Sequence, residues 1–201
     1  MVMNIPNLKV VLNPQAKRVT PAVIRDIEEL IPPSSLILPT SIEENETIAQ
    51  NLLREGVEAV FVGGGDGTVI AFVNALVRAA EQLGIAPIPK IGLMRLGTGN
   101  AVAELVSSGS FQTDLQSFIQ NPHDDTVEMP WLNAEGRLFP FGGLGLDAEV
   151  LNDYEWVKEV TENTAISPAV TNVGGYFAAL FSRTIPRKLK EAFIPEAVQV
   201  R

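Results

Sequence analysis

Over the first hundred residues, short apolar runs alternate with stretches whose apolar residues recur at helical spacing. Leu8 to Leu12 is an apolar run ending at Asn13-Pro14, which predicts a buried strand and then a turn. Thr20-Pro21 predicts a helix start, because Thr caps well and Pro suits the first helical position. Val23, Ile27, Leu30 and Ile31 give that helix an apolar face, and Pro32-Pro33 stops it. Leu36 to Leu38 predicts a second strand. Thr40-Ser41 precede a helix from Ile42 to Arg54, with Ile48, Leu52 and Leu53 on one face and Gly56 as its C-cap. Glu58 to Val62 predicts a third strand, broken by Gly63-Gly64-Gly65, and Asp66 to Gln82 a long helix. Lys90 to Leu93 predicts a fourth strand, followed by Gly97-Thr98-Gly99-Asn100 and a helix through Ala101 to Val106.

Strands alternating with helices predict an α/β domain with a mainly parallel sheet. Its strands are buried on both faces and so read as continuous apolar runs. The pattern changes after Asn121. Asp125 to Leu132 and Arg137 to Gly143 predict extended segments joined by a hairpin-like loop at Asn133-Ala134-Glu135-Gly136. Helices are expected at about Glu149 to Glu159 and Tyr176 to Leu189, and a strand opens at Ala197 to Arg201. The expected organisation is an α/β domain over residues 1–122, followed by the start of an antiparallel second domain over 123–201, read as truncated.

Composition narrows the class. The chain has 201 residues, 46% of them hydrophobic and 19% charged, so a sizeable core can be buried. A net charge of −9 opposes nucleic-acid binding. The chain has no cysteine, which removes disulfides, thiolate metal sites and a cysteine nucleophile, and fits a reducing cytosol. Neither a signal peptide nor an apolar stretch of membrane-spanning length is read. The one histidine, His123, falls in a polar loop.

The strongest chemical signal is the run Val60 to Thr68, in which a strand passes through three glycines into a helix. Glycines allow positive φ and let a phosphate approach the backbone, and a helix N-terminus supplies free N–H groups and a positive dipole end. Asp66 in such an anion site points to Mg²⁺ between carboxylate and phosphates. The bland alternative is a tight turn with Asp66 as N-cap. The motif is neither a Walker A loop nor a dinucleotide fingerprint. A second strand-to-turn junction, Ile91 to Asn100, ends in Gly-Thr-Gly-Asn. Ligands of open parallel sheets bind at the carboxyl ends of the strands, so both turns can face one ligand.

Asn13-Pro14, the Gly-Gly-Gly-Asp-Gly-Thr run at 63–68 and the Leu-Gly-Thr-Gly-Asn run at 96–100 resemble the diacylglycerol kinase catalytic domain family, which includes sphingosine kinase-like and bacterial lipid kinase members. Phe141 to Ala148 resembles the segment that opens the family's second domain. The resemblance implies two domains with a cleft, ATP across the strand ends of the first, and a lipid-side β-sandwich. By motif match it makes Asn13, Thr40, Gly64, Gly65, Asp66, Gly67, Thr68 and Thr98 nucleotide contacts. Asp66 is then the metal-holding and catalytic carboxylate. Thr40 also reads as a plain N-cap of the helix after it. The implied function is transfer of the γ-phosphoryl of Mg·ATP to a lipid hydroxyl, such as that of diacylglycerol.

The chain departs from the family pattern at several positions. Lys17 follows Ala16 where the family's first motif ends in Gly; Ile70-Ala71 replace Asn-Glu; Arg95 replaces Pro; and Ala101-Val102-Ala103-Glu104 replace Asp-Phe-Ala-Arg. Arg95 reads equally as a phosphate clamp or a surface charge. The family's general base lies in a late Asp-Gly-Glu-type motif, and the one Asp-Gly pair here is Asp66-Gly67. Asp147 reads as a helix cap. Arg183, Arg187, Lys188 and Lys190 lie beside Phe177, Leu180, Phe181 and Ile185. They form either a basic amphipathic helix for peripheral contact at an anionic inner-membrane surface or a helix with one solvated face. An open half-sandwich edge invites a homodimer. The rival readings are a catalytically incomplete ATP-binding module and an NAD-kinase-like enzyme. The expected location is cytoplasmic.

Overall fold

The structure, a computed structural model, describes residues 6–122, 126–143, 145–161, 175, 177 and 179–193. The chain separates into two compact units, one up to Phe141 and one from Gly142 onward. His123 and the expected strand at Ala197 to Arg201 lie outside the described residues.

The first unit is built on a four-stranded sheet: β1 (Leu8–Leu12), β2 (Leu36–Ile37), β3 (Ala59–Gly64) and β4 (Lys90–Arg95). The spatial order is β2-β1-β3-β4, and every pairing is parallel. The register sets Leu8 beside Ala59 and Leu12 beside Gly63, then Ala59 beside Lys90 and Gly64 beside Arg95.

Alternation along β3 divides the core. Val60 and Val62 join Val11 against α2 (Glu44–Arg54) and α3 (Asp66–Leu83). Ala59 and Phe61 join Leu8, Val10 and Leu12 on the other face, against Ile27 and Ile31 of α1 (Pro21–Glu28) and its continuation. α5 (Phe111–Gln120) adds Leu115 there, and Phe118 meets Phe61 edge to face at 5.5 Å. A parallel sheet with helices on both faces buries its strands fully, and all six residues of β3 are buried.

Local chemistry explains the helix ends. Thr20 Oγ1 accepts from the Val23 N–H (3.3 Å), with Pro21 at the first helical position. α2 ends in a Schellman motif: Val57 N–H reaches Leu52 O (3.1 Å), Gly56 N–H reaches Leu53 O (3.2 Å), and Gly56 takes φ +62°.

Three expectations change. β3 runs two residues further than expected, through Gly63 and Gly64, because both remain paired in the sheet. None of the glycines at 63, 64, 65 and 67 has positive φ, so space and not left-handed backbone is what the cluster needs. α5, which the apolar-run reading passed over, carries Phe111, Leu115, Phe118 and Ile119 on one face behind a Ser110 cap.

The first unit also holds α4 (Ala101–Leu105) and a hairpin of β5 (Leu132–Ala134) and β6 (Arg137–Phe139). The strands are shorter than the expected extended segments. The loop tightens to the two residues Glu135 and Gly136, at φ +52° and +77°. In the second unit the described residues form α6 (Leu146–Thr161) and a single π-helical turn (Leu180–Thr184) running into α7 (Ile185–Phe193). No strand occurs among the described residues of that unit.

Candidate functional site

Strand order decides where a ligand can sit. From β1 the chain crosses by α1 to β2 on one side, then by α2 to β3 on the other, so the sheet has its topological switch between β1 and β3. Carboxyl strand ends beside such a switch leave a crevice for ligands. Asn13 follows β1 and the Gly65-Asp66 turn follows β3, so both motifs meet there.

They meet by direct contact. Asn13 Nδ2 donates to Thr68 Oγ1 (3.1 Å), and the Asn13 N–H donates to Gly63 O (2.9 Å). Asn13 Oδ1 accepts from the Gln15 N–H (2.9 Å), which shapes the turn after β1. In the first turn of α3, the Thr68 N–H donates to Gly65 O (3.0 Å) and the Val69 N–H to the same oxygen (3.2 Å). The N–H groups of Asp66 and Gly67 have no partner within the helix, as helix geometry requires.

The second glycine turn, Gly97 to Asn100, closes on the first. A Cβ on Gly97 would lie 2.2 Å from Gly65 Cα and 2.8 Å from Gly65 N. The two backbones touch where only glycine fits on the Gly97 side. Asn100 holds this turn reciprocally: its Oδ1 accepts from the Gly97 N–H (3.1 Å) and its Nδ2 donates to Gly97 O (3.3 Å). Asp66 Oδ1 accepts from the Val102 N–H (2.9 Å) in the first turn of α4. Asp66 therefore caps a helix 36 residues away in sequence. A Cβ on Gly99 would stand 3.2 Å from Asp66 Oδ2. Thr98 is exposed on the same turn.

The expected residues thus divide. Asn13, Gly64, Gly65, Asp66, Gly67 and Thr68 form one bonded cluster, joined through Gly65 and Asp66 to the turn that carries Thr98. Thr40 follows β2 at the same sheet edge, but its hydroxyl donates to Glu44 Oε1 and its N–H to Glu44 Oε2 (3.2 Å). Thr40 acts there at the start of α2. Arg95 pairs with Glu104 (2.6 Å) and reaches Ser108 O (3.4 Å).

Two groups escaped the sequence reading. Ser108 Oγ lies 2.6 Å from Leu93 O and 2.9 Å from Asp114 Oδ2, so it covers part of the free edge of β4. Asn74, in the middle of α3, is buried and bonded to Leu138 of β6. A lone buried Asn carries no spacing signal.

In the second unit, Asp153 is buried and accepts from Thr184 Oγ1 (2.7 Å) and Arg187 Nη1 (3.0 Å), with Arg183 Nε at 3.2 Å. Burial opposes ionisation of Asp153. The Thr184 hydroxyl and the two guanidiniums outweigh it and hold the carboxyl below the usual aspartate range. Glu149 is held low by Lys188 (2.7 Å) and Arg187 (3.2 Å). Three of the four cations read as a basic face, Arg183, Arg187 and Lys188, are therefore ion-paired within the unit.

No group of three or more His, Cys, Asp or Glu arranged for a metal occurs among the described residues. A Mg²⁺ ion that keeps its waters and binds chiefly to phosphates needs only one or two carboxylates, and Asp66 fits that requirement. No described helix is long and apolar enough to cross a membrane.

The model of the diacylglycerol kinase catalytic domain matches residues 7–129. No protein of curated function matches the chain. A solved structure of a diacylglycerol kinase from Bacillus anthracis strain Sterne is 16% identical, covering 77% of this chain and 54% of that one at a TM-score of 0.51. It shares the fold. Another structure from that strain is 17% identical over 61% of this chain and 44% of that one, at a TM-score of 0.45. The chain spans about half the length of these solved structures. With the domain model covering more than half of its residues, and with the glycine turns of both motifs packed at one sheet edge, this chain belongs to the diacylglycerol kinase catalytic domain family.

Proposed function

We propose that this chain binds Mg·ATP at the Asn13, Gly64–Thr68 and Thr98 cluster and transfers the γ-phosphoryl to a lipid hydroxyl, such as that of diacylglycerol. The observation that carries this reading is the backbone contact of Gly65 with Gly97 at the β1/β3 switch, beside the open N-terminus of α3. Two glycine turns pressed together leave backbone N–H groups accessible and no side chain to exclude a phosphate.

Roles follow from the contacts. The N–H groups of Asp66 and Gly67 receive phosphate oxygens. Asn13 fixes the Thr68 hydroxyl through its 3.1 Å bond. Asp66 locks the second turn with Oδ1 and leaves Oδ2 for a hydrated cation. Mg²⁺, when bound, would neutralise phosphate charge. Thr40 stands at the margin, with its hydroxyl already used by Glu44. In the reaction the acceptor oxygen forms a bond to the γ-phosphorus, the bond from that phosphorus to the β–γ bridging oxygen breaks, ADP leaves, and the hydroxyl proton passes to a base. Catalysis of this type is mostly positioning and charge neutralisation. None of the residues matched here is assigned as that base.

A second reading, an ATP-binding module without transfer, is favoured by Ile70. It packs against the α2–α3 core where the family carries a polar residue. Label transfer from γ-labelled Mg·ATP to a total lipid extract separates the two. A labelled lipid is expected. A folded chain that binds ATP and labels nothing overturns the kinase and leaves the module. NAD added as acceptor in the same assay tests an NAD-kinase-like activity.

A further inference from the structure

We propose that Asn74 is a positioning residue whose side-chain amide takes the place of a third strand beside β6, and so fixes the point at which the chain leaves the nucleotide-binding unit. Its catalytic consequence rests on the kinase reading above.

The hairpin turns through Glu135 and Gly136, flanked by the paired residues Ala134 and Arg137. In a two-residue hairpin the flanking pair exchanges hydrogen bonds and the next pair does not. That next pair is Asn133 and Leu138, so the peptide groups of Leu138 point away from β5. Asn74 takes both. Its Nδ2 donates to Leu138 O (2.8 Å) and its Oδ1 accepts from the Leu138 N–H (2.8 Å). Nδ2 also donates to Ile70 O one helical turn back (2.8 Å). A side-chain amide has the donor and acceptor of a peptide group, and here it bonds as a neighbouring strand would.

Isolated two-stranded hairpins are marginal in water. Every residue of β5 is exposed. A groove of about 1170 Å³ lies alongside, lined in part by Val77, Ile91, Met129, Trp131 and Leu138, so side-chain packing on that flank is incomplete. The bidentate contact to Asn74 therefore sets the hairpin's height and angle on α3. Asn74 lies about two turns from the Asp66–Thr68 end of that helix, and the first unit ends three residues after Leu138. One side chain thus ties the nucleotide-side helix to the start of the segment that the kinase reading assigns to the acceptor side.

The test compares Asn74→Leu and Asn74→Asp with wild type in the full chain, by amide exchange and kinetics. In Asn74→Leu, exchange across residues 132–139 is expected to accelerate at least tenfold, while β3 and α3 keep their protection and Mg·ATP affinity stays within twofold. Asn74→Asp retains an acceptor for the Leu138 N–H and is expected to keep part of that amide's protection. Transfer to lipid is expected to lose at least tenfold in kcat at an unchanged KM for ATP. Unaltered hairpin exchange in Asn74→Leu, or acceleration spread equally over β3 and α3, overturns the proposal. Local acceleration with unchanged kcat overturns the positioning role. Should Asn74→Leu not fold, the same outcomes read on Asn74→Asp decide. If wild type labels no lipid, the kinase reading fails separately, and the exchange pattern alone decides whether Asn74 anchors the hairpin.

Discussion

Gly67 offers the sharpest test of the phosphate site. A Cβ added there meets nothing within 4 Å, and the residue lies in the first turn of α3 with helical backbone. Replacing Gly by Ala in such a place removes unfolded-state freedom and stabilises by about 0.4–1 kcal/mol. Gly97 is the contrast. Its added Cβ would sit 2.2 Å from Gly65 Cα, where ordinary contact begins at 3.4 Å. The turns must part by about 1.2 Å, and the neighbour is backbone that cannot rotate aside. Overpacking of this kind costs about 1–3 kcal/mol, which for a chain of this size lowers Tm by roughly 2–12 °C. Misplacement by about 1 Å costs binding geometry as well. Thermal melts and titration with Mg·ATP then give a paired expectation. Gly97→Ala loses both Tm and affinity. Gly67→Ala keeps or raises Tm and loses at least tenfold in affinity, because the new methyl occupies space that only the ligand needs. Full affinity in a stabilised Gly67→Ala chain would refute the placement of phosphates at this helix end.

Asp66→Asn is expected to lose metal-dependent ATP binding while costing the fold only about 1 kcal/mol, since the amide oxygen can still accept from the Val102 N–H; a Mg²⁺ titration that matches wild type contradicts the role. Thr68→Val removes the acceptor of Asn13 Nδ2 and is expected to destabilise by about 1 kcal/mol, measured by urea unfolding; no change would mean that bond holds nothing together. In the second unit, Asp153 has a folded-state pKa below its unfolded value. Its contribution is complete above the ordinary aspartate value of about 4 and is lost as pH falls through the lower folded value. Exchange protection of α6 and α7 should therefore hold down to about pH 4 and fall below it, and Asp153→Asn should weaken that dependence, leaving the part that Glu149 carries. Protection that stays level through this range in wild type refutes it.

The sheet was legible because its central strands, β1 and β3, are buried on both faces. Runs such as Leu8–Leu12 and Ala59–Val62 cannot be confused with half-exposed strands, and Asn13-Pro14 and the glycine turn mark their ends. The motif residues were legible for the same reason: they lie at strand ends of one parallel sheet. Partnerships between distant residues were not. Asp66 suggested a metal ligand or a cap of its own helix; the helix that its Oδ1 caps is α4. The glycine cluster suggested positive φ, but its need for space arises from Gly97 and Leu12, both distant in sequence, and from Thr68 one helical turn after Gly64. Asn74 has the composition of a misplaced polar residue until β6 is beside it, 64 residues later. α5 was a different failure. Ser110 and the Phe111, Leu115, Phe118 spacing were in view, and the apolar face was too short to stand out.

The position of β1 in the middle of the sheet has a consequence for synthesis on the ribosome. β1 is made before its inner neighbour β3, and the first paired residues, Leu8 and Ala59, are 51 positions apart. At translation rates of about 5–20 residues per second, β1 waits roughly three to ten seconds for that partner. During the wait only the two residues of β2 can pair with it. Its other edge stays open, with the apolar run Val10-Val11-Leu12 uncovered, so the nascent chain is most prone to aggregate, and most in need of a chaperone, between the emergence of β1 and that of Gly64.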